Sequence, residues 1–125
     1  MLLALTKRKK IRIKMEVFIM AKKTIMLCCA AGMSTSLLVT KMQKAVEDEG
    51  KDADVFAVPA AQADDQLESK DISCILLGPQ VRYMEDDFKK KVDGKSIPVA
   101  VIDMQAYGMM QGDKVIKQAY DLMGE

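Results

Sequence analysis

Cys29 is followed by Ala30, Ala31, Gly32, Met33 and Ser34 and then by Thr35, the Cys-x5 spacing of a loop that wraps a phosphate-sized anion. The short apolar run Thr24 to Cys28 leads into it, and Ser34, Thr35 and Ser36 open an amphipathic segment behind it. This order predicts a strand, a loop and a helix start. Backbone N–H groups at such a turn lack partners and converge, and the helix adds about half a positive charge at its N-terminus. Residues 30 to 36 are therefore the expected phosphate cradle, with Cys29 at its lip, where the field that favours a phosphate also favours a thiolate. The chemistry implied is a cysteine that carries or removes a phosphoryl group.

Phosphatases built on a Cys-x5 loop place an arginine where Thr35 stands, and its fork clamps the phosphoryl oxygens in the transition state. Thr35 offers only a hydroxyl. The loop can hold a phosphocysteine but should hydrolyse it slowly, which is what a carrier needs. The sequence contains no histidine, so a Ser-His-Asp triad, a Cys-His dyad, a phosphohistidine carrier and every His-containing zinc site are excluded. No Asp-Pro general-acid pair is present either. A cysteine phosphatase is thus disfavoured, and a non-catalytic phosphate-binding module with an incidental Cys29 is the binding-class alternative. Ser34 to Ser36 serve as helix caps under any of these readings. No metal and no cofactor is expected.

Strand alternation sends Cys28 and Cys29 to opposite faces, so Cys28 is expected to pack as a small hydrophobe, as is Cys74 inside the run Ile72 to Leu77. Three cysteines without C-x-x-C spacing point to a reducing compartment, and the cytoplasm is the expected location. Among the 11 methionines, Met26, Met42, Met84 and Met123 fall on apolar stripes and read as core, whereas Met109 and Met110 are candidates for a partner surface. The acidic groups Asp64, Asp65, Glu68 and Glu85 to Asp87 read as a solvated face.

The net charge of +1 hides an asymmetry: residues 1 to 20 hold six basic side chains against Glu16, leaving 13 of the 19 basic and 17 of the 18 acidic groups to residues 21 to 125. That mildly acidic body argues against nucleic acid as a partner. Residues 1 to 20 are expected to be a disordered basic extension. They make a poor secretory signal, with the charges behind a five-residue apolar start, and no run approaches the roughly 20 residues of a spanning helix, so direct membrane insertion is not expected. Residues 21 to 125 are expected to form a single domain.

Within that domain, strands are predicted over Thr24 to Cys28, Ala53 to Val58, Ile72 to Leu77 and Ile97 to Ile102. Helices are predicted over Ser34 to Glu49, Ala60 to Ser69, Val81 to Val92 and a last segment capped by Asp113, with Asp103 to Gly112 as a loop. Four strands alternating with helices predict an open parallel sheet with helices on both faces, an α/β fold. Ligands bind outside the carboxyl ends of such strands, where the segments 29 to 36, 78 to 80 and 103 to 112 fall together.

The runs Cys29-Ala-Ala-Gly-Met-Ser-Thr-Ser-Leu-Leu-Val, Leu76-Leu-Gly-Pro-Gln-Val-Arg-Tyr-Met and Val101-Ile-Asp-Met-Gln-Ala-Tyr-Gly occur in that order. Together they closely resemble the lactose/cellobiose family of enzyme IIB components of the bacterial sugar phosphotransferase system, over about residues 22 to 123. The resemblance implies a four-stranded parallel sheet like that of low-molecular-weight tyrosine phosphatases. It also implies that Cys29 accepts a phosphoryl group from a phosphohistidine on the IIA component. The group then passes to a sugar, expected to be a β-linked disaccharide such as cellobiose or lactose, at the membrane IIC component. Gln80, Tyr83 and Tyr107 match family positions near the site or its partner surface. Many relatives carry an aromatic or aliphatic residue before the cysteine, so Cys28 is a departure, and it is not expected to substitute for Cys29.

Overall fold

The structure, a computed structural model, describes residues 22–30 and 36–124. The basic extension and most of the predicted phosphate loop, positions 31 to 35, lie outside the described residues. Four parallel strands, β1 (Lys23–Cys29), β2 (Ala53–Pro59), β3 (Cys74–Leu77) and β4 (Val99–Val101), form one sheet in the order β2-β1-β3-β4. β1 and β3 are the two interior strands, and both are nearly continuous apolar sequence because each is covered on both faces.

Odd-numbered side chains of β1, Ile25 and Leu27, point to one face and even-numbered Met26 and Cys28 to the other, so the sheet separates two cores. Helix α1 (Ser36–Asp48) buries Leu38, Met42, Ala45 and Val46 on the first face, the stripe that the sequence spacing predicts. Gly50, with φ of 69°, ends it in the left-handed conformation that glycine adopts at little cost. The second face is covered by α2 (Ala63–Ser69) and α3 (Glu85–Lys91), whose Ala63 and Phe88 are fully buried. Burying a side chain such as Phe88 is worth about 1.5–3 kcal/mol.

Both segments on that second face start differently from the helices predicted. Residues 60–62 and 79–84 form 3-10 turns rather than α-helix. Pro79 sets the φ of the latter turn, and Val81, at φ −116° and ψ 23°, breaks its regularity before α3 begins. Cys74, not Ile72, opens β3, and β4 spans three residues rather than six.

The segment predicted as a loop from Asp103 to Gly112 contains a further helix, α4 (Met104–Gly108), capped by Asp103, whose Oδ2 accepts from the backbone N–H of Ala106 at 2.9 Å. The last helix, α5 (Gly112–Leu122), buries Val115, Ile116 and Ala119 against α1. Asp113 does not cap it: Gln111 occupies that position and makes no side-chain cap. Gly112 is needed there because a Cβ would run into the backbone of Lys41 and Met42, so the absence of a side chain lets α5 close onto α1. Met110 packs against this core at φ 54°, while Met109 is exposed, so only one of the two candidate surface methionines is on the surface.

Candidate active site at the carboxyl end of the sheet

From β1 the chain crosses to β2 on one side, and from β2 it returns to β3 on the other. The carboxyl ends of β1 and β3 are therefore the topological switch point, where loops diverge and leave a crevice. Cys29 ends one of these strands and Gly78 follows the other. Gly78 is buried, and its N–H donates to the Cys28 carbonyl at 2.8 Å, tying the two strand ends together.

Cys29 lies deeper than the lip expected for it. It is the last residue of β1, paired in register with Pro59, and it is 1% exposed, with Sγ directed at the Val58 carbonyl oxygen 4.0 Å away. The strand runs one residue further than the apolar pattern suggests, which draws the thiol under the rim. Ala30 follows as an exposed bend, and Ser36, also exposed, opens α1. Of the predicted cradle, Ala31, Gly32, Met33, Ser34 and Thr35 lie outside the described residues. Helix α1 starts beside the carboxyl end of β1, so its positive pole faces the same end of the sheet as Cys29.

The other two motif segments do converge here. Gln80 Nε2 donates to Tyr107 Oη at 3.2 Å, across 27 positions of chain. A Cβ placed on Gly78 would sit 3.0 Å from Gln80 Oε1 and 3.6 Å from Cys29 Cβ, so the Gln80 carboxamide folds back over Gly78, and Gly78 adjoins both it and the cysteine. Beside this pair lies an open cleft of about 590 Å³, lined by Gln80, Tyr83, Met104 and Tyr107 among others. Tyr83 is 78% exposed and Met104 61%, which gives the rim an apolar, water-facing edge. Arg82 lines the cleft as well, and neither it nor Met104 was assigned a role from the sequence. Arg82 lies inside the second motif run, so the signal was present without a meaning attached.

The remaining thiols behave as packing groups. Burial, and secondarily the neighbouring Cys29, pushes the Cys28 thiol up to about 12, and burial alone pushes Cys74 up to about 12. Neither is a nucleophile near neutral pH, and all three cysteines are free of disulfides. Among the described residues no group of three or more Asp, Glu or Cys is arranged to hold a metal ion, and no helix is long and apolar enough to cross a membrane.

A parallel α/β sheet with a cysteine at its switch point is the architecture of low-molecular-weight phosphatases, which enzyme IIB domains share. The sequence profile of the lactose/cellobiose-specific IIB subunits of the phosphotransferase system matches residues 24–118, and the chain belongs to that family. It is 52% identical over 107 residues to the cellobiose-specific EIIB component of Lactococcus lactis, covering 83% of this chain and 99% of that protein. It is 43% identical over 101 residues to the oligo-beta-mannoside-specific EIIB component of Bacillus subtilis, covering 81% of this chain and 96% of that one. Among solved structures, the cellobiose-specific IIB component of Borrelia burgdorferi superposes with a TM-score of 0.67 at 29% identity, over 83% of this chain and 94% of that one. The lactose-specific IIB domain of Streptococcus pneumoniae superposes with a TM-score of 0.70, covering 82% and 98%; at 14% identity it speaks for the fold alone.

Proposed function

We propose that the chain is a cytoplasmic phosphocarrier in which Cys29 takes a phosphoryl group from the phosphohistidine of a IIA component. It then delivers the group to a sugar entering through a membrane IIC component. In the first step the Cys29 thiolate sulfur forms an S–P bond as the N–P bond of the donor breaks, its electron pair returning to the imidazole nitrogen, which takes up a proton from solvent. In the second a sugar hydroxyl oxygen forms the new P–O bond, the S–P bond breaks to restore the thiolate, and the hydroxyl proton leaves to solvent. Little covalent assistance is required of the protein beyond in-line placement and charge stabilisation.

The observation that carries this reading is the position of Cys29 at the carboxyl end of an interior strand, at the switch point, in a chain of the IIB family. The cradle is assigned to Ala30, Ala31, Gly32, Met33, Ser34, Thr35 and Ser36. The exposed apolar edge at Tyr83 and Met104 suits the transient, small interface of a relay, with Gln80 and Tyr107 behind it. The names of relatives carry cellobiose, galactose and oligo-β-mannoside, sugars of the same broad group as the β-linked disaccharide proposed here. Residues 21 to 125 are assigned to the phosphocarrier unit, so deletion of residues 1–19 leaves acceptance unchanged.

Incubation with a phosphorylated IIA protein, read by intact mass, tests the first step. Wild type gains one phosphoryl group and Cys29→Ser none. Absence of an adduct on wild type overturns the relay, and rapid release of free phosphate turns the reading to a phosphatase.

A further inference from the structure

β4 is an edge strand, bonded on one side to β3, and its other side exposes the Val101 carbonyl and the Asp103 N–H. In an extended chain these two groups, two residues apart, point the same way and would be met by one residue of a neighbouring parallel strand. No such strand exists among the described residues. Instead Gln118, from α5, supplies both partners. Its Nε2 donates to Val101 O at 2.9 Å and its Oε1 accepts from Asp103 N at 3.0 Å. The carboxamide thus stands in for a peptide group and clasps the corner between β4 and α4.

That corner leads to the site by a short chain of bonds. Asp103, held by Gln118, caps α4 through Ala106 N. The next residue of α4, Tyr107, accepts from Gln80, whose carboxamide lies over Gly78, the glycine that also adjoins Cys29. We propose that Gln118 is a positioning residue for phosphoryl transfer at Cys29, fixing the place of α4 and hence of the Gln80–Tyr107 pair beside the carboxyl ends of β1 and β3. The inference rests on the relay reading. Small displacements of groups that orient a transferring phosphoryl group are costly even when the change lies away from the chemistry.

The opposite edge of the sheet provides a matched control. Gln43, from α1, donates its Nε2 to Val55 O of β2 at 3.0 Å, which is the same kind of helix-to-edge contact. Gln43 makes its contact on β2, at the far side of the sheet from β4 and the Gln80–Tyr107 pair. Acceptance from a phosphorylated IIA protein is therefore compared for wild type, Gln118→Leu, Gln118→Glu and Gln43→Leu, each well below its unfolding midpoint. Gln118→Leu should slow acceptance about tenfold. Gln118→Glu, which keeps the acceptor toward Asp103 but sets a carboxylate against the Val101 carbonyl, should slow it in the same direction. Gln43→Leu should stay within about twofold of wild type. Equal slowing by the two leucine variants, or none in Gln118→Leu, overturns the proposal.

A second readout needs no donor, so it separates this inference from the relay itself. The side-chain amide resonances of Gln80 and the ring resonances of Tyr107 should move in Gln118→Leu and stay in place in Gln43→Leu. Unmoved resonances in Gln118→Leu overturn the positioning role. A wild-type chain that takes no phosphoryl group overturns the relay instead.

Discussion

The two ends of the sheet carry clefts of equal size, about 590 Å³ each, yet they are chemically unlike. At the amino end the cleft between α1, β2 and the segment after α2 is lined by Gln43, Asp54, Phe56 and Lys70. The polar side chains there are engaged with neighbouring backbone and ring: Lys70 Nζ lies 4.3 Å from the centre of the Phe56 ring, Gln43 bonds Val55 O, and Ser73 Oγ accepts from Thr24 N. Lys22 pairs with Asp54 at 3.4 Å. The thiol at this end, Cys74, is sealed in the core. At the carboxyl end, strand ends diverge at the switch point, a cysteine ends the interior strand, and an exposed apolar edge faces water. Volume does not distinguish a site from a seam between elements. Topology and the exposed apolar edge separate the two ends.

The largest expected effect separates the ends outright: Cys29→Ser abolishes phosphoryl acceptance, while Cys74→Ser costs stability and leaves the acceptance rate of the folded chain unchanged. Urea denaturation alongside the transfer assay reads both. Loss of acceptance in Cys74→Ser at full folding would erase the contrast.

Next is Gly78→Ala. The new Cβ presses on Gln80 Oε1 and displaces the carboxamide from Tyr107, so acceptance should fall severalfold, to the level of Gln80→Ala, with little change in the unfolding midpoint. Wild-type transfer in both variants would show that the Gln80–Tyr107 pair is idle.

A third effect is global and alkaline. Cys28 and Cys74 have folded values near 12 against an ordinary 9.0, so the unfolded chain loses these protons first as pH rises. Their contribution to stability is complete below about pH 9 and is lost between there and about pH 12. Cys74→Ala should flatten that decline in urea midpoints, and an unchanged slope would contradict the burial of this thiol. The smallest effect is Lys70→Ala at the amino end, which should cost about 0.5–1 kcal/mol from the lost cation–π contact and leave transfer untouched. A transfer defect would make that end part of the site.

Much of the scaffold could be read from residue order. The apolar runs placed all four strands, and the stripe Leu38, Met42, Ala45 and Val46 gave the buried face of α1, because burial on a regular helix leaves a periodic trace. Helix α4 left none, since five residues are too few for a period, and Asp103 could be recognised as a cap only once the turn was seen. Asp113 looked like a cap for the opposite reason: it has the right side chain, but close packing of Gly112 on α1 starts the helix earlier. At the candidate site, spacing singled out Cys29 and motif resemblance singled out Gln80 and Tyr107, whereas the hydrogen bond between Gln80 and Tyr107 depends on two loops meeting. Gln118 was illegible, because its contacts are to backbone and depend on where α5 lies along β4.

The central claim is that the phosphoryl group resides on the sulfur of Cys29. Phosphorus NMR of the chain after incubation with a phosphorylated IIA protein tests it directly. A single S-phosphate resonance is expected, retained in Cys28→Ala and Cys74→Ala and absent in Cys29→Ala. A resonance that survives Cys29→Ala, or one with the signature of an O-phosphate, would contradict it.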